Sequence, residues 1–277
     1  MMRALLSAEL LKMVKQSKTY YGLAAIFVIE ILILITAYFQ GSAILDLLLN
    51  NLKHSFYFEG TLLNGNLIMY IILNSLWFNV PLILMIVTSG IVTDEFKDGT
   101  VQTVMLQAVK KWKFILAKYI IAVLFTLLVI ALMMVSMFTL AYSIFGKGDL
   151  VVYISTLNFF KSDEAIHRIC WAFASGAIAM TFYSVVSITL AVIIKEAAKT
   201  WIAAALFLII TNLLLKVDFG VSALNNYFFP KLIDNWQQLF YYEIDWLKVG
   251  GNNGLLVLYI LLFAGIGTFI FHKQDIT

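Results

Sequence analysis

Long apolar runs separated by short polar segments set the pattern of this chain. They fall at 20–40, 67–93, 114–145, 169–194, 201–215 and 254–271. A helix that crosses a bilayer needs about 20 apolar residues, within a range of about 17–25. Each run is therefore read as a membrane span, and the longest are expected to protrude or tilt. The fifth, 15 residues, rises only about 22 Å against a hydrocarbon core of about 30 Å. It is expected to continue past Lys216 or to break into a re-entrant piece. The first run carries Glu30 and no clean small-x-small cleavage site follows it, so it is read as a retained helix and not a signal peptide.

Two polar segments carry their own periodicity. Residues 1–19 mix Arg3, Lys12, Lys15 and Lys18 with an apolar set in which Leu6, Leu10 and Val14 recur every fourth position, the spacing of one helical face. Two readings stand: an amphipathic helix lying on the inner leaflet, or a basic stretch that only orients the first span. Between the second and third spans, segment 94–113 opens with Asp94-Glu95 and continues through Asp98-Gly99-Thr100. Asp98 or Thr100 is expected to cap a short helix, in which Val101, Val104, Met105 and Ala108 share a face at i, i+3, i+4, i+7. That face needs a cover: lipid, a neighbouring helix or a partner's groove.

Charge orients the array. With the N-terminus inside, segments 1–19, 94–113, 195–200 and 272–277 hold 11 cations in about 50 residues. Segments 41–66, 146–168 and 216–253 hold 7 cations and 9 acids in about 87 residues. The positive-inside rule then places both termini in the cytoplasm, and Lys118, a turn into the third span, is expected to snorkel to that side. The fold class is an all-α integral membrane protein with six transmembrane helices in a single domain.

Composition narrows the function. The chain is 62% hydrophobic and 13% charged, with a mean hydropathy of +0.93; soluble domains carry about 25% charge. This excludes an ordinary soluble enzyme and a disordered chain. A net charge of +3 supplies no basic field for nucleic acid. The lone Cys170 forms no internal disulfide, and His54, His167 and His272 lack metal-ligand spacing, so no metal site is expected. No phosphate-binding loop, nucleophile elbow or His-Glu-x-x-His helix is present, so the chain is not expected to hydrolyse ATP itself or to bind a cofactor.

The cytoplasmic segment resembles that of ABC-2 type transporter permeases. The resemblance rests on Asp94-Glu95, Gly99-Thr100, the hydrophobic stretch Val101–Ala108, the lysines at 110, 111 and 113, and Lys118 entering the next span. The basic N-terminal helix, six spans and long segment before the last span match in layout. Many members carry a Pro and an Arg in the basic segment, where this chain has Val109 and lysines. The resemblance implies that residues 94–108 couple to a separate ABC ATPase, present in two copies and holding ATP and Mg. It also implies a second permease chain, as homodimer or heterodimer, and outward movement of an amphipathic or lipid-like substrate such as a peptide toxin, antimicrobial peptide or antibiotic. In that family the segment equivalent to 216–253 dips back into the membrane and closes the exit; an ordinary external loop fits its composition equally.

Polar residues inside spans complete the candidate list. A central charge costs roughly 2.5–3.5 kcal/mol on insertion scales and marks a functional site by default. Counting along the spans puts Glu30, Asn79, Thr181, Ser184, Thr211 and Asn212 near one depth, as a lining for a translocation path or as packing hydrogen bonds. Pro81, two residues from Asn79, is expected to kink the second span, as a hinge or a static bend. Two other functions stay open: a proton-coupled secondary transporter using Glu30, and a membrane anchor subunit without transport. Lysine outnumbers arginine 17 to 2, which suggests an AT-rich bacterial gene and a place in the cell membrane. Compact permeases of this kind are similar to exporters of phenol-soluble modulins and to antimicrobial-peptide immunity pumps.

Overall fold

The computed structural model describes residues 2–49, 63–107, 109–154 and 156–274. Ala108 and residues 50–62, half of segment 41–66, lie outside these. Helix α1 (Met2–Lys15) leads into α2 (Ser17–Leu49), α3 (Gly65–Lys97), the short α4 (Thr100–Met105) and α5 (Lys111–Phe145). Strands β1 (Leu150–Ile154) and β2 (Thr156–Phe160) follow, then α6 (Ser162–Ile194) and α7 (Ala197–Lys216). Short helices α8 (Ser222–Tyr227) and α9 (Phe229–Ile233) and a 3-10 helix (Asp234–Phe240) precede α10 (Trp246–Lys273).

Six of these helices are long and apolar enough to cross a membrane: Ser17–Gly41 of α2, α3, α5, α6, α7 and α10. Their outward faces carry exposed Leu128, Leu132 and Val135 on α5, Ile202 and Leu206 on α7, and Leu258, Leu261 and Phe269 on α10. Apolar surface on that scale needs lipid or another apolar surface against it, and helices of this length and hydropathy meet it in a bilayer. The chain is thus an all-α integral membrane protein, with one β-hairpin among the described residues that the sequence pattern did not predict.

Local signals explain the helix boundaries. The Asn64 side chain accepts the Leu67 amide at 3.1 Å and starts α3, and Asp245 accepts the Lys248 amide at 3.0 Å and starts α10, each satisfying an orphan N–H. The fifth span reaches full length by extending back to Ala197, not forward past Lys216. Non-helical backbone inside a long helix occurs at Gln40 of α2. By contrast, α3 continues through Pro81 with no non-helical residue beside it.

Helix α6 is the most buried of the six and α10 the least. Around α6, hydroxyls bridge helices: Ser187 donates to the Met85 carbonyl of α3 at 2.5 Å, Thr126 of α5 meets Ser184 at 2.7 Å, and Tyr119 meets Thr189 at 2.9 Å. Such bonds and close packing, more than apolar burial, hold helices together where the solvent is itself apolar. Gly176 illustrates the packing: a Cβ there would collide with the Trp77 indole of α3. Trp77 also meets Trp236 of the 3-10 helix, ring centroids 4.9 Å apart. Trp77 lies twelve residues into α3, about 18 Å from its start, so the segment before α10 folds back deep along the bundle. There Phe229 stacks on Phe207 of α7 at 5.8 Å.

The hairpin pairs Leu150 with Phe160 and Val152 with Asn158, turning Leu150, Val152 and Phe160 inward. Asn64 and Asn66 of the α3 start tie down its base by donating to the carbonyls of Asp149 (2.7 Å) and Gly148 (2.6 Å). Arg168 of α6 lies over the Phe160 ring, 4.0 Å from its centroid.

Candidate functional site

The end of the bundle that carries α4 gathers α1, the last turn of α3, the first turns of α5 and the last turn of α10. Lys111 donates to the Gln274 carbonyl at 2.7 Å, and Phe271 of α10 stacks on Phe114 of α5 at 5.7 Å. At its centre lies a buried ion network. Lys118, fully buried, meets Glu9 of α1 and Glu95 of α3, each at 2.7 Å. The same Glu95 oxygen accepts Lys12 at 2.5 Å, and Lys12 also reaches Glu9 at 3.3 Å. Two carboxylates and two ammonium groups thus join three elements distant in sequence, while Glu95 Oε2 is buried without a hydrogen-bond partner. Desolvation pulls the Lys12 ammonium pKa down, but the hydrogen bond and charge of Glu95, with Glu9, outweigh it and hold the value above its ordinary one. A raised lysine pKa stabilises the fold up to the ordinary lysine range, and that contribution fades as pH rises through the folded value.

Lys118 therefore does not snorkel: two carboxylates satisfy it in place. Asp94 makes the neighbouring tie, accepting Lys18 at 2.6 Å. Helix α1 turns Glu9 and Met13 inward and leaves Leu10, Leu11 and Val14 exposed. The Leu6, Leu10, Val14 stripe is therefore split, with Leu6 packed on the core and the other two facing out.

Helix α4 departs from expectation in two respects. It ends at Met105, shorter than the stretch to Ala108, which lies outside the described residues. Its N-cap is Gly99 at φ +67°, in the left-handed region, with no side-chain cap; glycine takes this conformation without strain, and the sharp reversal it makes leaves Asp98 as the C-cap of α3. Thr100 does not cap either, since its hydroxyl turns back to the Glu95 carbonyl at 3.3 Å. Of the covers open to its apolar face, the bundle itself supplies one. Val101 is buried, and Val104 and Met105 pack against the bundle core. The outward surface is Gln102, Thr103, Gln107 and Leu106, the last 90% exposed.

The in-span polar residues do not form one connected layer. Thr181, Thr211, Asn212 and Asn79 donate to carbonyls four residues earlier in their own helices: Ala177, Phe207, Leu208 and Ser75. Back-bonding of this kind satisfies a polar side chain locally, without a neighbour. Ser184 reaches across to Thr126. Glu30 is buried and accepts Ser136 of α5 at 2.7 Å, while its Oε1 is buried with no hydrogen-bond partner.

Sequence reasoning missed Glu9, Ser136 and Arg168. A signal existed for Glu9, the lone acid among the cations of 1–19. For Arg168 the local signal was Glu164 four residues earlier, while its other partners, the backbone carbonyls of Leu239, Tyr241 and Tyr242, have no side-chain signature. No protein-family model and no characterised protein matches the chain.

Proposed function

We propose that this chain is the permease subunit of an ATP-driven exporter of the ABC-2 type. It moves an amphipathic substrate, such as a peptide toxin or antimicrobial peptide, out of a bacterial cell across the cytoplasmic membrane. Both termini and α4 face the cytoplasm, and Leu10, Leu11 and Val14 of α1, exposed, rest in the lipid interface. A separate ATPase binds ATP and Mg and docks on the outward surface of α4, two copies serving two permease chains.

The observation that carries this reading is the mounting of α4. A six-residue helix has no stability of its own, yet this one is seated on the core by Val101 and flanked by the Glu9–Lys12–Glu95–Lys118 network. A force applied at α4 reaches α1, α3 and α5 together. The contact surface is then Leu106 with its polar neighbours, not the Val101, Val104 and Met105 face. Burying one leucine in a partner's groove is worth about 1.5–3 kcal/mol. Leu106→Glu is therefore expected to weaken retention of the ATPase encoded by the neighbouring gene by about tenfold or more in co-purification, with the permease still folded. Equal retention by wild type and variant would overturn the docking surface, and failure of any ATPase to bind would overturn the exporter reading.

A further inference from the structure

Glu30 is the one acidic or basic residue in the middle of any of the six spans. It lies in a groove of about 330 Å³ between α2 and α5, walled by Ile26, Phe27, Val129, Leu132 and Val135. That volume falls within the roughly 300–1,000 Å³ of small-molecule sites. One carboxylate oxygen is held by Ser136, and the other is buried with no protein donor. Along the same seam a second groove of about 360 Å³, lined by Leu34, Tyr38, Phe39 and Leu140 among others, carries no charged side chain. From Glu30 to Phe39 the helix advances nine residues, about 14 Å. Phe27, Leu132, Val135 and Phe39 are exposed, so both grooves open on the flank of the bundle, where lipid lies.

We propose that the α2/α5 seam is a binding site for a cationic amphiphile entering sideways from the bilayer, its protonated amine on the free oxygen of Glu30 and its apolar body in the adjoining groove. The chemistry follows from what the site lacks. A buried carboxylate oxygen takes a donor, a charged donor binds it best, and the walls offer only apolar contact. Identifying the bound amine as the transported substrate rests on the exporter reading; the binding itself does not.

The test uses the full chain in lipid nanodiscs with dodecylamine as probe and dodecanol, of equal chain length, as its uncharged counterpart. Dodecylamine is expected to raise the thermal unfolding temperature in a saturable way, and dodecanol is not. Glu30→Gln keeps the side-chain shape, and is expected to weaken the apparent dodecylamine affinity by about 10–100-fold, the range of a charge-assisted hydrogen bond. Val135→Trp leaves Glu30 in place, fills the groove from its rim and is expected to abolish the shift; it decides the matter if Glu30→Gln fails to fold. Equal shifts from amine and alcohol, or an unchanged affinity in Glu30→Gln, would overturn the site. So would a Val135→Trp variant that splits a dimer while dodecylamine has no effect, because the seam is then an interface between copies. Binding of dodecylamine by a chain that retains no ATPase would sustain the site and sink the exporter reading.

Discussion

Lys118→Met is expected to destabilise the folded chain by about 3–5 kcal/mol, the cost of removing one partner from a buried ion pair. The substitution leaves the Glu9 and Glu95 carboxylates next to an apolar side chain. Lys12, whose side chain is 46% exposed, is the remaining cation in the network. A surface ion pair is worth at most about 1 kcal/mol, so magnitude alone separates a buried network from a decorative one. The measurement is reversible unfolding of the purified protein, run as a cycle with Glu9→Gln. Adding Glu9→Gln to Lys118→Met removes one stranded charge and should recover part of the loss. A single-variant cost below about 1 kcal/mol would show that the network carries no strong coupling between α1, α3 and α5.

Arg168→Met is expected to cost about 2–4 kcal/mol and to release the segment before α10. All five guanidinium N–H donors are used. Two go to Glu164, at 2.9 and 2.7 Å, and three to the carbonyls of Leu239 (2.7 Å), Tyr241 (2.7 Å) and Tyr242 (3.1 Å). Methionine keeps much of the apolar stem against Phe160 but supplies no donor. Tyr241 and Tyr242 are exposed, and water can replace the arginine at their carbonyls. Leu239 is buried, and its carbonyl bears the full penalty of about 1–3 kcal/mol for an unmet buried acceptor. Hydrogen exchange should therefore accelerate over residues 236–246 while α3 and α6 stay protected. Arg168→Lys should not restore protection, since a compact ammonium has three donors for the five contacts that the guanidinium fork spreads over Glu164 and three carbonyls. Uniform acceleration across the whole chain would make Arg168 a general packing residue and not a clamp on this segment.

The spans were legible because bilayer thickness imposes a length on every crossing helix, and runs such as 114–145 meet it without help from tertiary contacts. Boundaries were less so: α7 gained its length at the 197 end, where Lys199 interrupts the apolar pattern. For α4, the spacing of Val101, Val104 and Met105 announced an apolar face but not its cover. That depended on the Gly99 turn, which lays the helix against its own bundle. The polar residues were legible in depth but not in direction. Counting depth from a sequence says nothing about azimuth, and Thr181, Thr211 and Asn212 each have a carbonyl of their own helix within reach. The link between Glu9 and Lys118 spans 109 residues and has no local signature.

The Trp77–Trp236 pair has an optical consequence. The two indoles lie 4.9 Å apart with ring planes inclined by 43°, a fixed chiral arrangement whose excited states couple. One ring belongs to a span and the other to the segment folded back beside it, so the part of the near-ultraviolet circular dichroism that Trp77→Phe removes reports whether that segment is seated. If the segment gates an exit, each opening dims this signal, and the duty cycle of the gate becomes readable during turnover.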